Sequence, residues 1–124
     1  MEQCQTKILN SMAKIATVEF AGQSGTKYSF GVYPLDTNFN SVGGVYCFTK
    51  RKVNTEGTGS HTVFYIGITN DLSTRFDDHH KMDCAVKKGA NCICIHQDEN
   101  EKSRQAKEKD LISSQKPSCN ENLK

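Results

Sequence analysis

Two short apolar runs constrain this chain more than any other feature. Gly44-Val45-Tyr46-Cys47-Phe48 and Thr62-Val63-Phe64-Tyr65-Ile66-Gly67-Ile68 are rich in β-branched and aromatic residues. Such residues fit a pleated, half-buried surface. They are the two best strand candidates in the chain. The intervening stretch, Lys50 to Ser60, is polar and contains glycine, so it reads as an exposed hairpin loop. A chain of 124 residues has room for one core around such a pair.

The rest of the chain supplies elements to cover that pair. Ile8, Leu9, Met12 and Ile15 fall at helical spacing and predict a short amphipathic helix within residues 1–16. Thr17–Phe20 and Lys27–Val32 alternate as strands around the turn residues Gly22 and Gly25, which predicts a hairpin. Thr69-Asn70-Asp71 is a helix-start signature, and the helix it opens is expected to reach Met82. Cys92–Ile95 suits a buried third strand. Glu99 to Gln115 consists of good helix formers and stops before Pro117. The expected fold is α/β. Its small mixed sheet has three central strands flanked by helices, and an N-terminal β-hairpin extends or covers it. Residues 1–42 form that extension within the same domain as residues 43–124.

Several reactive residue types recur in a fixed order along this frame. Gly44-Val45-Tyr46 opens the first strand and Tyr65-Ile66-Gly67 lies in the second. Arg75 is followed four residues later by His79, then come Glu108-x-x-Leu111-Ile112 and Pro117-x-x-Asn120. The ordered set, over about residues 43–122, resembles the GIY-YIG nuclease family. Val45 replaces the isoleucine of the family name but keeps a β-branched side chain. The spacing between the two tripeptides exceeds the usual tight hairpin. A second tripeptide, Gly31-Val32-Tyr33, has no correctly spaced partner and is read as a decoy.

The resemblance implies a metal-dependent phosphodiesterase with Tyr46, Tyr65, Arg75, His79 and Glu108 as catalytic residues. Tyr46 is the implied general base. Its ordinary pKa of about 10 would require a neighbouring cation to lower it. Tyr65 would position water or phosphate, and Arg75 would hold phosphate oxygens bidentately. His79, one turn from Arg75 on an unbroken helix, would relay a proton. Glu108 would ligate Mg²⁺ or Mn²⁺, ions that accept one or two carboxylates and complete their shells with water. Gly44 and Gly67 would allow close approach of backbone and substrate, and Asn120 would tie the C-terminal segment to the active face.

A net charge of +2 does not by itself announce a nucleic-acid binder. Lys50-Arg51-Lys52, with Lys87 and Lys88, is either a solvated basic face or a contact with DNA phosphates, the second being the role expected of Lys50, Arg51 and Lys52. The expected partner is duplex or branched DNA, cut with low sequence specificity or a preference for DNA structure. A homodimer or a protein partner would supply further specificity. The rival readings are a catalytically weak nucleic-acid or protein binding module on the same fold, and a zinc-structured domain drawing on His79, His80, Cys84, Cys92 and Cys94. Residues 1–14 contain no continuous apolar segment, so no signal peptide is read. A cytoplasmic location away from membranes, with reduced cysteines, is therefore expected.

Overall fold

Alternation along the central strands sends successive side chains to opposite sides, and both sides are buried. The computed structural model describes residues 14–77 and 79–121. The expected N-terminal helix falls mainly outside them. Five strands form one sheet: β1 (Ala16–Ala21), β2 (Lys27–Pro34), β3 (Gly44–Val53), β4 (Gly59–Thr69) and β5 (Cys92–Gln97), in the order β1-β2-β5-β3-β4. Every pairing is antiparallel. The α/β class stands, but the sheet is not mixed. The N-terminal hairpin extends it, because β2 pairs with β5.

One face of the sheet collects Val32, Val45, Cys47, Ile66, Cys92 and Cys94, with Phe20 and Phe30 from the hairpin. Helix α3 (Glu101–Gln115) seats Leu111 and Ile112 against this face. The other face carries Tyr46, Phe48, Phe64, Tyr65 and Ile93. It is covered by α1 (Leu72–Arg75), α2 (His80–Lys87) and α4 (Ser118–Glu121), through Leu72, Ala85 and Cys119 respectively. Between α3 and α4 the chain therefore passes round the outer edge of β4. Lys116 takes the left-handed conformation there (φ 49°), and Pro117 is fully buried.

Three local expectations are corrected. The segment from Lys50 to Ser60 is mostly strand, paired as Lys50 with Thr62, Arg51 with His61, Lys52 with Ser60 and Val53 with Gly59. Its polarity reflects exposure of a two-stranded ribbon, which needs no apolar face to satisfy its ladder. Only the tip is a turn, where Asn54 Oδ1 accepts from the backbone N–H groups of Glu56 and Thr58 (both 2.9 Å) and Gly57 has φ 86°.

The helix expected to run to Met82 is broken. Asp71 caps α1 by accepting from Ser73 N–H at 3.0 Å, and α1 ends at Arg75. His79 then caps α2, its Nδ1 accepting from Lys81 N–H at 3.1 Å. Aspartate and histidine are indifferent helix formers, and a cap gives their side chains backbone partners. The cysteines are not all reduced either: Cys84 of α2 is disulfide-bonded to Cys119 of α4, with Cα atoms 6.1 Å apart. Cys47, Cys92 and Cys94 are buried free thiols.

Candidate active site

Tyr46 is the third residue of the central strand β3 and is fully buried, its ring enclosed by Phe48, Tyr65, Phe76 and His79. Its hydroxyl is the focus of the site. Arg75 Nε donates to it at 2.9 Å, and His79 Nε2 lies 2.8 Å away. The tautomer of His79 follows from its cap: Nδ1 accepts from Lys81 N–H, so the neutral ring carries its proton on Nε2 and donates it to Tyr46. The Tyr46 oxygen thus receives two N–H groups from opposite sides of a helix break. An unbroken helix would have kept Arg75 and His79 on one face.

Gly67 makes this arrangement sterically possible. A Cβ there would stand 2.5 Å from the Tyr46 hydroxyl and 2.6 Å from Cζ. Gly44 is similarly crowded, with the His96 carbonyl 2.9 Å from where its Cβ would be. A register shift opposite Phe48/Thr49 pairs Tyr65 with Phe48 and Val63 with Thr49. Phe64 is thereby passed over, and both it and Tyr65 join the cluster around Tyr46. Bulges of this kind commonly re-aim side chains beside active sites.

Electrostatics oppose early ionisation. Burial pushes the Tyr46 hydroxyl well above the usual tyrosine range, and the nearby Tyr65 adds to this. Arg75 pulls the other way without overcoming it. The cation expected to lower Tyr46 is thus present but outweighed, and the resting hydroxyl is neutral at pH 7. Tyr65 is also raised, chiefly by burial and slightly by Glu108, while Arg75 and a hydrogen bond with Tyr46 lower it. Burial raises the carboxyl of Glu108. This half-buried side chain has no hydrogen bond or ion pair among the described residues, so the salt bridge with Arg75 that a purely structural role would need is not formed.

The sequence model described as the GIY-YIG catalytic domain matches residues 42–122. The chain belongs to the GIY-YIG family. Comparison with curated proteins and with solved structures returned no match. Membership in the GIY-YIG family carries nuclease-type chemistry on a nucleic-acid substrate. Its two signature tripeptides sit side by side here, Tyr46 opposite Gly67.

Not every expected residue of the GIY-YIG site converges. Tyr46, Tyr65, Arg75 and His79 do, and Glu108 is close enough to Tyr65 to influence it. Asn120 is occupied by the fold: its Oδ1 accepts from Ile66 N–H at 2.8 Å and its Nδ2 donates to Ile66 C=O at 2.9 Å. Lys50 and Lys52 alternate on the Tyr46 side of β3, whereas Arg51 points to the other side, near His61 and Cys92. The zinc set is dispersed, with Cys84 in a disulfide and Cys92 and Cys94 in the opposite core. No site motif names Phe76, which completes the aromatic cage of Tyr46. It packs edge-on against Tyr46 at 5.0 Å between ring centroids. Its place one residue after Arg75 was the available signal, because the helix ends there.

Proposed function

We propose that this chain is a divalent-metal-dependent DNA endonuclease that hydrolyses phosphodiester bonds, with low sequence specificity or a preference for DNA structure. The observation that carries the reading is the Tyr46 hydroxyl held between two N–H donors, Arg75 and His79. With both acceptor positions filled, neutral Tyr46 cannot take a proton from water. It acts once its proton, on the Tyr65 side, has been taken by solvent hydroxide, and the same two donors then stabilise the phenolate. The phenolate is the base that deprotonates the attacking water. His79 serves as a neutral donor and not as a proton relay.

Arg75 spends Nε on Tyr46, so the outer end of its guanidinium is the part that meets a phosphate oxygen. This ties the base and the phosphate to one rigid group. Glu108 fits a Mg²⁺ or Mn²⁺ ion: it is a hard oxygen donor, half-buried, raised by desolvation and unpaired among the described residues. When bound, such an ion supplies charge neutralisation at the phosphate and the leaving oxygen. Lys50 and Lys52 continue the line of Tyr46 and Phe48 along β3. Lys50 lies about 13 Å from Tyr46 by strand rise, which suits contact with phosphates farther along the DNA.

The test is cleavage of supercoiled plasmid and of duplex, flap and branched DNA in Mg²⁺ and Mn²⁺. Parent protein should cut. Tyr46→Phe keeps the ring in its aromatic cage, so it should fold and lose about 10² to 10⁴ in rate. Near-parental cutting by Tyr46→Phe would remove Tyr46 from the chemistry. A folded parent with no cleavage of any DNA in either metal would refute the nuclease reading.

A further inference from the structure

Arg104, on α3, is only 6% exposed, and its Nε is buried with no hydrogen-bond partner. Its Nη1 donates to the Asp98 carbonyl at 3.0 Å. The guanidinium is packed against Gly43, where a Cβ would meet Nη1 at 2.5 Å. No carboxylate among the described residues lies within ion-pairing distance of it. Its acidic neighbours are otherwise engaged or exposed. Asp98 pairs with Lys107 at 2.8 Å and accepts from Ser103. Glu99 accepts from Gly43 N–H at 3.1 Å and from Gln97. Glu101 is exposed at the rim. A desolvated cation with an orphan donor is costly unless something anionic or polar completes it.

Beside Arg104 lies a cavity of about 220 Å³, lined by Ile68, Thr69, Asn70, Glu101 and Arg104 itself. It offers the Arg104 cation, the Asn70 amide and the Thr69 hydroxyl, which also bonds to the Asp71 backbone, and it carries one carboxylate, that of exposed Glu101. A water takes up about 30 Å³ in the liquid, so the space is large enough for a tetrahedral oxyanion. Its position is informative. Arg104 and Glu108 are one turn apart on the same side of α3, with their Cβ atoms about 5–6 Å apart. Thr69 and Asn70 form the junction that leads into α1 and Arg75.

We propose that this cavity is a subsite for a phosphodiester group of the substrate strand, one step from the phosphate that is cut, with Arg104 as its anchor. The inference rests on the nuclease reading and adds a second phosphate site to it. Arginine suits the role because its planar fork can grip two phosphate oxygens. Binding there gives Arg104 the counter-charge that the fold withholds, and it fixes the register of the strand relative to Tyr46 and Glu108.

The test compares parent, Arg104→Met and Arg104→Lys. Two readouts are used: thermal unfolding with inorganic phosphate, and binding and cleavage of a short duplex across a salt series. Phosphate should raise the Tm of the parent and not that of Arg104→Met. The same variant should raise KM and Kd for DNA about tenfold, leave kcat within about twofold, and shrink the salt slope by about one. If Arg104→Met does not fold, Arg104→Lys keeps a point charge without the fork and should still lose most of the phosphate protection. Equal protection by phosphate in parent and variants, or an unchanged Kd and salt slope in a parent that cuts DNA, overturns the subsite and leaves the nuclease reading intact. Arg104-dependent protection by free phosphate in a protein that neither binds nor cuts DNA overturns the nuclease reading, and the strand subsite with it.

Discussion

Replacing Gly67 with alanine tests the geometry of the site with a single methyl group. Gly67 does not have a positive φ, so its backbone gives no reason for glycine. On backbone grounds alone the change should stabilise the strand by about 0.5–1 kcal/mol. The contact argues the opposite. The new Cβ would stand 2.5 Å from the Tyr46 hydroxyl oxygen, 2.6 Å from Cζ and 3.0 Å from Cε2 of Tyr65. Ordinary carbon contacts begin near 3.5 Å, so Tyr46 would have to move by about 1 Å. The ring has nowhere cheap to go, with Phe76, Phe48 and His79 centroids at 5.0, 5.5 and 5.7 Å. Such overpacking costs about 1–3 kcal/mol, which exceeds the backbone gain. A net fall in Tm of a few degrees is expected. The same shift stretches the bonds from Arg75 (2.9 Å) and His79 (2.8 Å) beyond useful length. A displacement of that size typically costs about 10² in rate. Calorimetry and plasmid cleavage read both effects. A Gly67→Ala protein with a raised Tm and parental cleavage would refute the reasoning, since the backbone gain would then have won.

Three further outcomes follow from the same groups. Because Tyr46 is raised and acts as the phenolate, kcat should climb about tenfold per pH unit from pH 7 to 9. The corresponding loss of fold stability begins only above the ordinary tyrosine range near pH 10, so a flat kcat profile between pH 7 and 9 would exclude phenolate chemistry. Glu108, raised by burial, destabilises the metal-free fold once ionised. That deficit is absent in acid and appears as pH rises through the ordinary carboxylate range, about 4.3. Glu108→Gln should therefore match or exceed the parent Tm at pH 7 without metal, lose the Tm rise given by Mg²⁺, and lose cleavage; a lower metal-free Tm would reveal an ion pair that the geometry lacks. Lys50→Gln with Lys52→Gln should reduce the salt slope of DNA binding by about two, whereas Arg51→Gln, on the other side of β3, should change it little. An Arg51 effect equal to that of Lys50 and Lys52 together would place the DNA elsewhere.

How much of this was legible in the sequence depended on whether the information was local. Tyr46 and Gly67 sit in apolar runs rich in β-branched and aromatic residues, and antiparallel pairing brings the two tripeptides together. The bulge at Phe64 was not legible, because an unbroken apolar run has no mark for an extra residue. The break before His79 was hidden because Arg75-x-x-x-His79 also fits one turn of an unbroken helix. Only the cap bond to Lys81 shows that the histidine ends a gap and begins a new element. The Lys50–Ser60 ribbon was misread because exposed strands lack the apolar signal used to find them. Arg104 and the Cys84–Cys119 pair were beyond reach, since both depend on neighbours distant in sequence.

Asn120 also bears on how the molecule meets copies of itself. β4 is an edge strand, and edge strands offer their free N–H and C=O groups to any passing chain. At Ile66 the side-chain amide of Asn120 imitates a peptide group and fills both positions at once. A few residues at the C-terminal end thus do the work of a sixth strand. Cutting the chain before Ser118 would leave the backbone of Ile66 bare beside an apolar core. The expected consequence is a folded but sticky protein that adds strand to strand, visible as concentration-dependent self-association.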